Sequence, residues 1–441
     1  MEKASQLKNP SALSPTRADI NAAPHQRPVE SLWAFVSTIG ELNAVEPLLR
    51  RLLEELGQPP LTLVSDRAHY GPSYLAKFPK ASLEVVDGST AHAHDLVTRR
   101  PPLMTLVAEI PGLLHDAPCR FSYATLRAAQ QTGAPAVLVN GWLYGYQPPS
   151  RMDRIEKLLF ARDYVRSFDL MLVQTAAVRD RLVEAGAEAG KVVVTGNIKF
   201  DAMAHTFAAP AIAPLRDALL QRRGGPIVVA GSVSEINDQR GLLESFGHVL
   251  RGLPGALFVL APRHPENAER MAALRALLES SGLKWRLRSA HEPEEAVRGP
   301  VLVLDTMGEL RGCYAAATLA YVGTDHNVLE PMAFGKPVFV SGDWNPTYPS
   351  YPVYQQLLKA GVLHAAAGTA QLGADWREML ASYPLPPALE SRRLIQALAE
   401  AGGAVERCME AIRSAGLLAR VQQGAAAVAA RLNPTKPSSS R

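Results

Sequence analysis

Several residues able to do chemistry stand just beyond short apolar runs of this 441-residue chain. Glu41 follows the run Leu32–Ser37 (LWAFVS) and the tight turn Thr38-Ile39-Gly40-Glu41, in which Gly40 relaxes the backbone. It opens an amphipathic stretch, Leu42–Leu56, closed by Gly57. A carboxylate at a helix N-terminus is favoured by the dipole, which lowers its pKa. The same carboxylate, above strand ends, is placed to be a catalytic base over a cleft. Asn327 and Glu330 form a second pair in HNVLEP. Asn327 suits the N-cap of a helix over Val328–Phe334, whose first turn would offer N–H groups to a phosphate. Glu330, three residues on, serves as a capping-box partner or as an acceptor for two ribose hydroxyls. Arg263 and His264 sit between Pro262 and Pro265, which stiffen a loop carrying a permanent cation. Gly231-Ser232 makes a turn offering amides and a hydroxyl to a phosphate. Asp305–Glu309, Glu109 and Asn140 complete the set, each after an apolar run.

The elements that position these residues read as strands alternating with helices, the pattern of parallel sheets with crossovers. Val301–Leu304, Leu319–Val322 and Pro337–Val340 are strands, with helices over Leu310–Thr318 and Val328–Phe334 between them. Earlier strands are Leu32–Ser37, Leu61–Ser65, Leu83–Val86, Leu103–Glu109, Ala136–Asn140, Leu170–Gln174 and Val192–Gly196. Ile227–Ala230 and Ala256–Ala261 follow. Such sheets bind ligands at the carboxyl ends of their strands, where the polar clusters stand. Arg151–Arg166 is a helix with Arg151, Arg154, Lys157, Arg162 and Arg166 interleaved with Met152, Ile155, Leu158, Leu159 and Phe160. It reads either as a membrane- or acceptor-facing helix or as a solvated face with an ordinary core stripe. The aromatic segment Ser341–Tyr354 lines a cleft or packs between domains, and the last helix, Ala404–Leu432, crosses back onto the first domain.

Length predicts two domains of about 200 residues each. We place a polar lead at 1–29, a first domain at 30–205, a linker at 206–225, a second domain at 226–432 and a tail at 433–441. Pro111–Leu126, with Cys119, Arg120 and Tyr123, reads as irregular. A net charge of +4 makes no demand for nucleic acid. The three cysteines, Cys119, Cys313 and Cys408, are far apart and follow no zinc spacing, which fits a reducing cytoplasm. No run approaches the ~18 apolar residues of a membrane span, and no signal peptide is visible.

The order of motifs resembles the 3-deoxy-D-manno-octulosonic acid (Kdo) transferases of bacterial lipid A biosynthesis. The resemblance rests on Trp33, Val36–Glu41, Ala44 and Pro47-Leu48, then on Gly133-Ala134-Pro135, Val139-Asn140, Ser167–Leu170 and Gln174. It continues through Val194–Asp201 (VTGNIKFD), Ala230-Gly231-Ser232, Pro262–Glu266, Asp305–Leu310 and His326–Pro331. The acidic E-x-E-L-W-P motif of the family is reduced to Glu109-Ile110-Pro111, and its Gly-rich loop before His326 to Gly323-Thr324-Asp325.

The resemblance implies a GT-B-type glycosyltransferase with two Rossmann-like domains facing across a cleft. It implies metal-independent inverting transfer from CMP-Kdo to a lipid A precursor at the inner face of the bacterial inner membrane, with no cofactor. Glu41 would be the general base. Arg263, His264, Met307, Gly308, Glu309, Asn327 and Glu330 would hold CMP, with Ser232 nearby. Gly40, Glu109, Asn140 and Lys199 would stand on the acceptor side. Alternatives are a related transferase or epimerase using another nucleotide sugar or acceptor, and an inactive nucleotide-binding relative.

Overall fold

A computed structural model describes residues 29–109, 123–142, 151–202, 214–346, 348, 350–381 and 388–423. Nearly all of the expected lead, the whole tail, residues 206–213 of the linker, and most of Pro111–Leu126 lie outside them.

The first sheet holds seven strands: β1 Ser31–Phe35, β2 Leu61–Ser65, β3 Ser82–Val85, β4 Pro102–Ala108, β5 Ala136–Gly141, β6 Leu170–Val173 and β7 Val192–Val194. All pairings are parallel, in the order β3-β2-β1-β4-β5-β6-β7. The second sheet holds β8 Ile227–Val233, β9 Leu257–Pro262, β10 Trp285–Leu287, β11 Val301–Val303, β12 Leu319–Val322, β13 Val338–Ser341 and β14 Leu363–Ala366. Its order is β10-β11-β9-β8-β12-β13-β14, again parallel. Strands covered by helices on both faces bury both sets of side chains, which is why they read as unbroken apolar runs. In β1, Leu32 and Ala34 face one cluster with Leu42, Leu48 and Leu52, while Trp33 and Phe35 face another with Leu126 and Phe168.

Each sheet has a central place where the strand order reverses. In the first it lies between β1 and β4; in the second, between β8 and β12. Crevices open at such points because the two connections leave in opposite directions.

Three local expectations fail. Thr38-Ile39-Gly40-Glu41 is not a tight turn: the helix Ile39–Glu55 already contains Gly40 and Glu41, with Thr38 as its N-cap. A Cβ at Gly40 would meet only Thr38 Oγ1 at 3.7 Å, so the position does not require glycine. Gly231-Ser232 is not a turn after the strand but an irregularity inside β8, where the register with β9 slips between Ala230 and Val233. The helix expected over Val328–Phe334 is only Leu329–Met332, too short to carry a useful dipole.

The segment after β13 packs inward. Trp344, 6% exposed, stacks on Tyr354 with centroids 4.3 Å apart and joins the core of the second sheet. No helix among the described residues is long and apolar enough to cross a membrane.

Candidate active site

At the carboxyl ends of the first sheet, four of the expected residues meet. Thr38 Oγ1 accepts the Glu41 N–H at 3.1 Å, and Glu41 Oε2 accepts the Ser37 N–H at 2.6 Å. Glu41 thus sits in the first turn of its helix as expected, and its side chain also closes back on the chain before the Thr38 cap, one residue displaced from the usual reciprocal box. It does not exclude chemistry, because the carboxylate is buried beside other titratable groups. The expected lowering of its pKa is reversed. Burial, then the Glu109 charge, push it up to about 8, against the Ser37 N–H, Lys199 and the Thr38 backbone. Desolvation outweighs a helix dipole worth roughly 1 kcal/mol.

Glu109 lies just past β4, with φ +58°, and is also buried. Lys199 Nζ reaches its Oε1 at 2.6 Å, and Asn140 Nδ2 donates to the same oxygen at 3.1 Å. Asn140, at φ +54°, is fixed in turn: its Oδ1 accepts the Ile198 N–H at 3.0 Å, and its carbonyl accepts Gln174 Nε2 at 3.0 Å. Asn197 Nδ2 donates to Gln174 Oε1, and Asn197 Oδ1 accepts the Lys199 N–H. This amide chain links the ends of β5, β6 and β7 to the lysine that pairs with Glu109. Gly40 adds no side chain to the cluster. Gln174 and Asn197 carry a positioning role that the residue types alone did not announce; a polar residue ending each apolar strand is the available signal.

The second sheet presents its candidates on separate loops. Ser232 adopts φ +57° at the β8 irregularity. Arg263 Nη1 donates to His326 Nε2 at 2.5 Å, joining the loops after β9 and β12 across the end of β8. Burial, and secondarily Arg263, push the His326 pKa down to about 4, so the ring is a neutral acceptor at pH 7. His264, at φ +58°, faces Glu266 with Nδ1 2.9 Å from its carboxylate. Gly308, at φ +90°, takes a conformation that side chains resist, and Met307 beside it is 80% exposed. Glu309 is already held: Arg288 Nε is 3.2 Å from one oxygen, and the Thr306 hydroxyl donates to the other at 2.5 Å. Asn327 does not cap a helix in the expected way; its Oδ1 accepts the Leu329 N–H at 3.1 Å in a short side-chain turn. Burial raises the Glu330 pKa against the pull of Arg311.

Among the described residues, six non-glycine positions have positive φ, and four are Glu109, Asn140, Ser232 and His264. Such conformations cost about 1–3 kcal/mol each and gather where function over-determines the backbone. Here they mark strand ends on both sheets.

The family model for 3-deoxy-D-manno-octulosonic-acid transferase (kdotransferase) matches residues 121–202, the stretch that contains Asn140, Gln174, Asn197 and Lys199. The chain is 29% identical over 413 residues to the 3-deoxy-D-manno-octulosonic acid transferase of Bordetella pertussis, covering 88% of each. It is 26% identical over 410 residues to that of Haemophilus influenzae, covering 88% of this chain and 87% of the relative. Among solved structures, the UDP-GlcNAc 2-epimerase of Neisseria meningitidis matches with a TM-score of 0.58 at 15% identity, over 87% of this chain and all of that one. The UDP-N-acetylglucosamine 2-epimerase of Rickettsia bellii matches with a TM-score of 0.53 at 13% identity, over 88% of this chain and 96% of that one. At these identities the two structures speak for the fold alone: two Rossmann-like domains of the GT-B type. The motif order, the family model over residues 121–202 and relatives aligned over most of their length agree: the chain is similar to the Kdo transferases, a family of glycosyltransferases.

Proposed function

We propose that this chain transfers Kdo from CMP-Kdo to a lipid A precursor at the inner face of the bacterial inner membrane, with inversion and without a metal. The half built on β1–β7 takes the acceptor and the half built on β8–β14 takes the donor. Glu41 removes the proton from the acceptor hydroxyl as its oxygen attacks the anomeric carbon of Kdo. The bond from that carbon to the phosphate oxygen breaks, and CMP leaves with the electron pair. Arg263 offsets the charge on the departing phosphate, with Ser232, His264 and Asn327 beside it, and Glu330 accepts from the ribose hydroxyls. Met307, Gly308 and Glu309 bound the nucleotide from the loop after β11. Lys199, Glu109 and Asn140 orient the acceptor.

The observation that carries this reading is the Glu41 carboxylate. It is buried at the reversal point of the first sheet, beside the Lys199–Glu109 pair, with a pKa near working pH. CMP release from CMP-Kdo, with and without lipid IVA, tests it. Release that depends on lipid in the wild type and falls at least a hundredfold in Glu41→Gln, with CMP affinity retained, is expected. CMP binding without lipid-dependent release would redirect the acceptor assignment. Absence of both CMP binding and CMP release would overturn the reading.

A further inference from the structure

Both acids of the loop after β11 are held by the strand beside it. β10 is three residues long, stands at the edge of the second sheet and pairs with β11. A single turn, Arg288–Ala290, follows it directly. From that turn the Ser289 N–H donates to Asp305 Oδ1 at 2.9 Å, and the Ser289 hydroxyl donates to Asp305 Oδ2 at 2.5 Å. Arg288 Nε donates to Glu309 Oε1 at 3.2 Å, while its Nη1 is fixed on the His291 carbonyl at 2.7 Å. Asp305 and Glu309 are the two ends of the loop, so the turn clamps both. The Thr306 hydroxyl closes the loop on itself, donating to Glu309 Oε2 at 2.5 Å.

The clamp leaves each Glu309 oxygen with a protein donor. The carboxylate does not cap the helix Leu310–Ala316, although Glu309 stands at its N-cap; only the Glu309 carbonyl serves that helix, accepting the Cys313 N–H at 3.1 Å. Arg288 and Glu309 are each 17% exposed, which shields their pair better than an ordinary surface ion pair. A charged hydrogen bond screened in this way fixes the groups it joins. Between the clamped ends the chain is bare. Met307 is 80% exposed, and a Cβ at Gly308 would meet no atom within 4 Å. The tip therefore offers backbone N–H and C=O groups, and these suit the polar edge of a flat ring. With Arg263 at the phosphate and Glu330 at the ribose, the base falls to this tip.

We propose that Arg288 and Ser289 are positioning residues of the nucleotide site, clamping Glu309 and Asp305 so that the backbone at Met307-Gly308 meets the base of a nucleoside monophosphate donor. This rests on the donor reading given above. Arg288 and Ser289 touch no substrate atom, and the Glu309 carboxylate acts through the loop rather than on the ligand.

Calorimetric binding of CMP to the full chain, with ribose 5-phosphate measured by competition against it, tests the assignment. Ribose 5-phosphate keeps the sugar and phosphate of CMP and lacks the base. Arg288→Met should weaken CMP about tenfold, the scale of one hydrogen bond to a charged group, and leave ribose 5-phosphate nearly unchanged. Glu309→Gln should weaken CMP to a similar degree, and the double variant should be no worse than either single one. Ser289→Ala, an exposed change that keeps the Asp305 bond from the N–H, should weaken CMP about threefold. Equal weakening of CMP and ribose 5-phosphate in Arg288→Met would mean a merely structural arginine and overturn the proposal. A further loss on adding Glu309→Gln to Arg288→Met would mean that the carboxylate meets the ligand itself, and would overturn it too. CMP affinity unchanged in Arg288→Met and Ser289→Ala would also overturn it, while leaving the donor reading intact. Failure of the wild type to bind CMP would remove the donor reading and the inference together.

Discussion

Glu41 shows how far one residue's chemistry depends on groups distant in the chain. Its neighbours, Ser37 and Thr38, pull its pKa down through backbone hydrogen bonds, as its place at a helix start predicts. Burial and Glu109 win, and the value rises to about 8. At pH 7 most Glu41 is then protonated and unable to accept a proton. The rate with limiting substrate should climb as pH rises toward about 8 and level off above it. Lys199 is the cation that opposes the rise, so Lys199→Met should move the climb to higher pH. A climb complete below pH 6 in the wild type would contradict the assignment. Stability follows the same proton. The folded pKa lies above the unfolded value near 4.5, so this contribution is full below 4.5 and lost as pH rises through about 8. Glu41→Gln carries no such loss. Its melting temperature relative to wild type should therefore rise between pH 5 and pH 9, and a difference constant across that range would exclude a raised pKa.

Among the elements, the helix Arg151–Arg166 departs furthest from its ordinary reading. A core stripe would bury its apolar residues, yet Ile155 is 42% exposed, Leu158 83% and Leu159 62%. Arg151, Ile155, Leu158, Leu159, Arg162 and Arg166 fall at spacings of three and four, so they share one face. Arginines at both ends of an exposed apolar patch, with Asp163 at its margin, match an anionic lipid surface. Vesicles containing anionic lipid should float the wild type. Leu158→Asp with Leu159→Asp should lose flotation, and Arg162→Glu should weaken it most at low salt. Flotation indifferent to all three would remove this helix from the membrane contact. Its bounds were legible from sequence to the residue, because periodicity spans four turns. Most strands were legible as well, since burial on both faces leaves no polar interruption. Less was visible where a segment is short or mixed. The helices Gly71–Lys77 and Thr90–Arg99, and the strand β14 with its sequence LHAA, carry weak patterns. In the candidate site, strand-end position was readable for Glu41, Glu109, Asn140 and Arg263. Partners such as Lys199 for Glu109, or His326 for Arg263, were not, because pairs so far apart in the chain meet only through the sheet order.

At the scale of the molecule, the chain passes between the two cores twice, and the two passages are tied together. On the first, Ile198 belongs to the core of the first sheet and Phe200, two residues later, to that of the second. On the return, Leu394, Leu398 and Ala401 of the helix Ala388–Ala401 pack on the second core. Ala404, Cys408, Met409 and Ile412 of the helix Ala404–Ser414 seal the first. Gly402-Gly403 separates these helices, with φ +76° at Gly403. Asp201 closes the junction: its carboxylate accepts the Gly403 N–H at 2.6 Å and the Val405 N–H at 2.8 Å, capping the returning helix. Arg407 Nε adds a bond to the Thr195 carbonyl, and Arg413 makes two 2.8 Å contacts with Glu55. An aspartate that caps a helix contributes about 1–2 kcal/mol, and here the helix roofs a core rather than standing in solvent. Asp201→Ala should therefore loosen the first half selectively. Amide exchange should quicken in the Ala404–Ser414 helix and in the Ile39–Glu55 helix beneath it, with β8, β9 and β12 as protected as before. Arg413→Ala, which removes only an exposed ion pair, should quicken exchange less in the same helices. Equal loss of protection in both sheets after Asp201→Ala would mean that the two cores unfold as one unit and that the aspartate is no pivot between them.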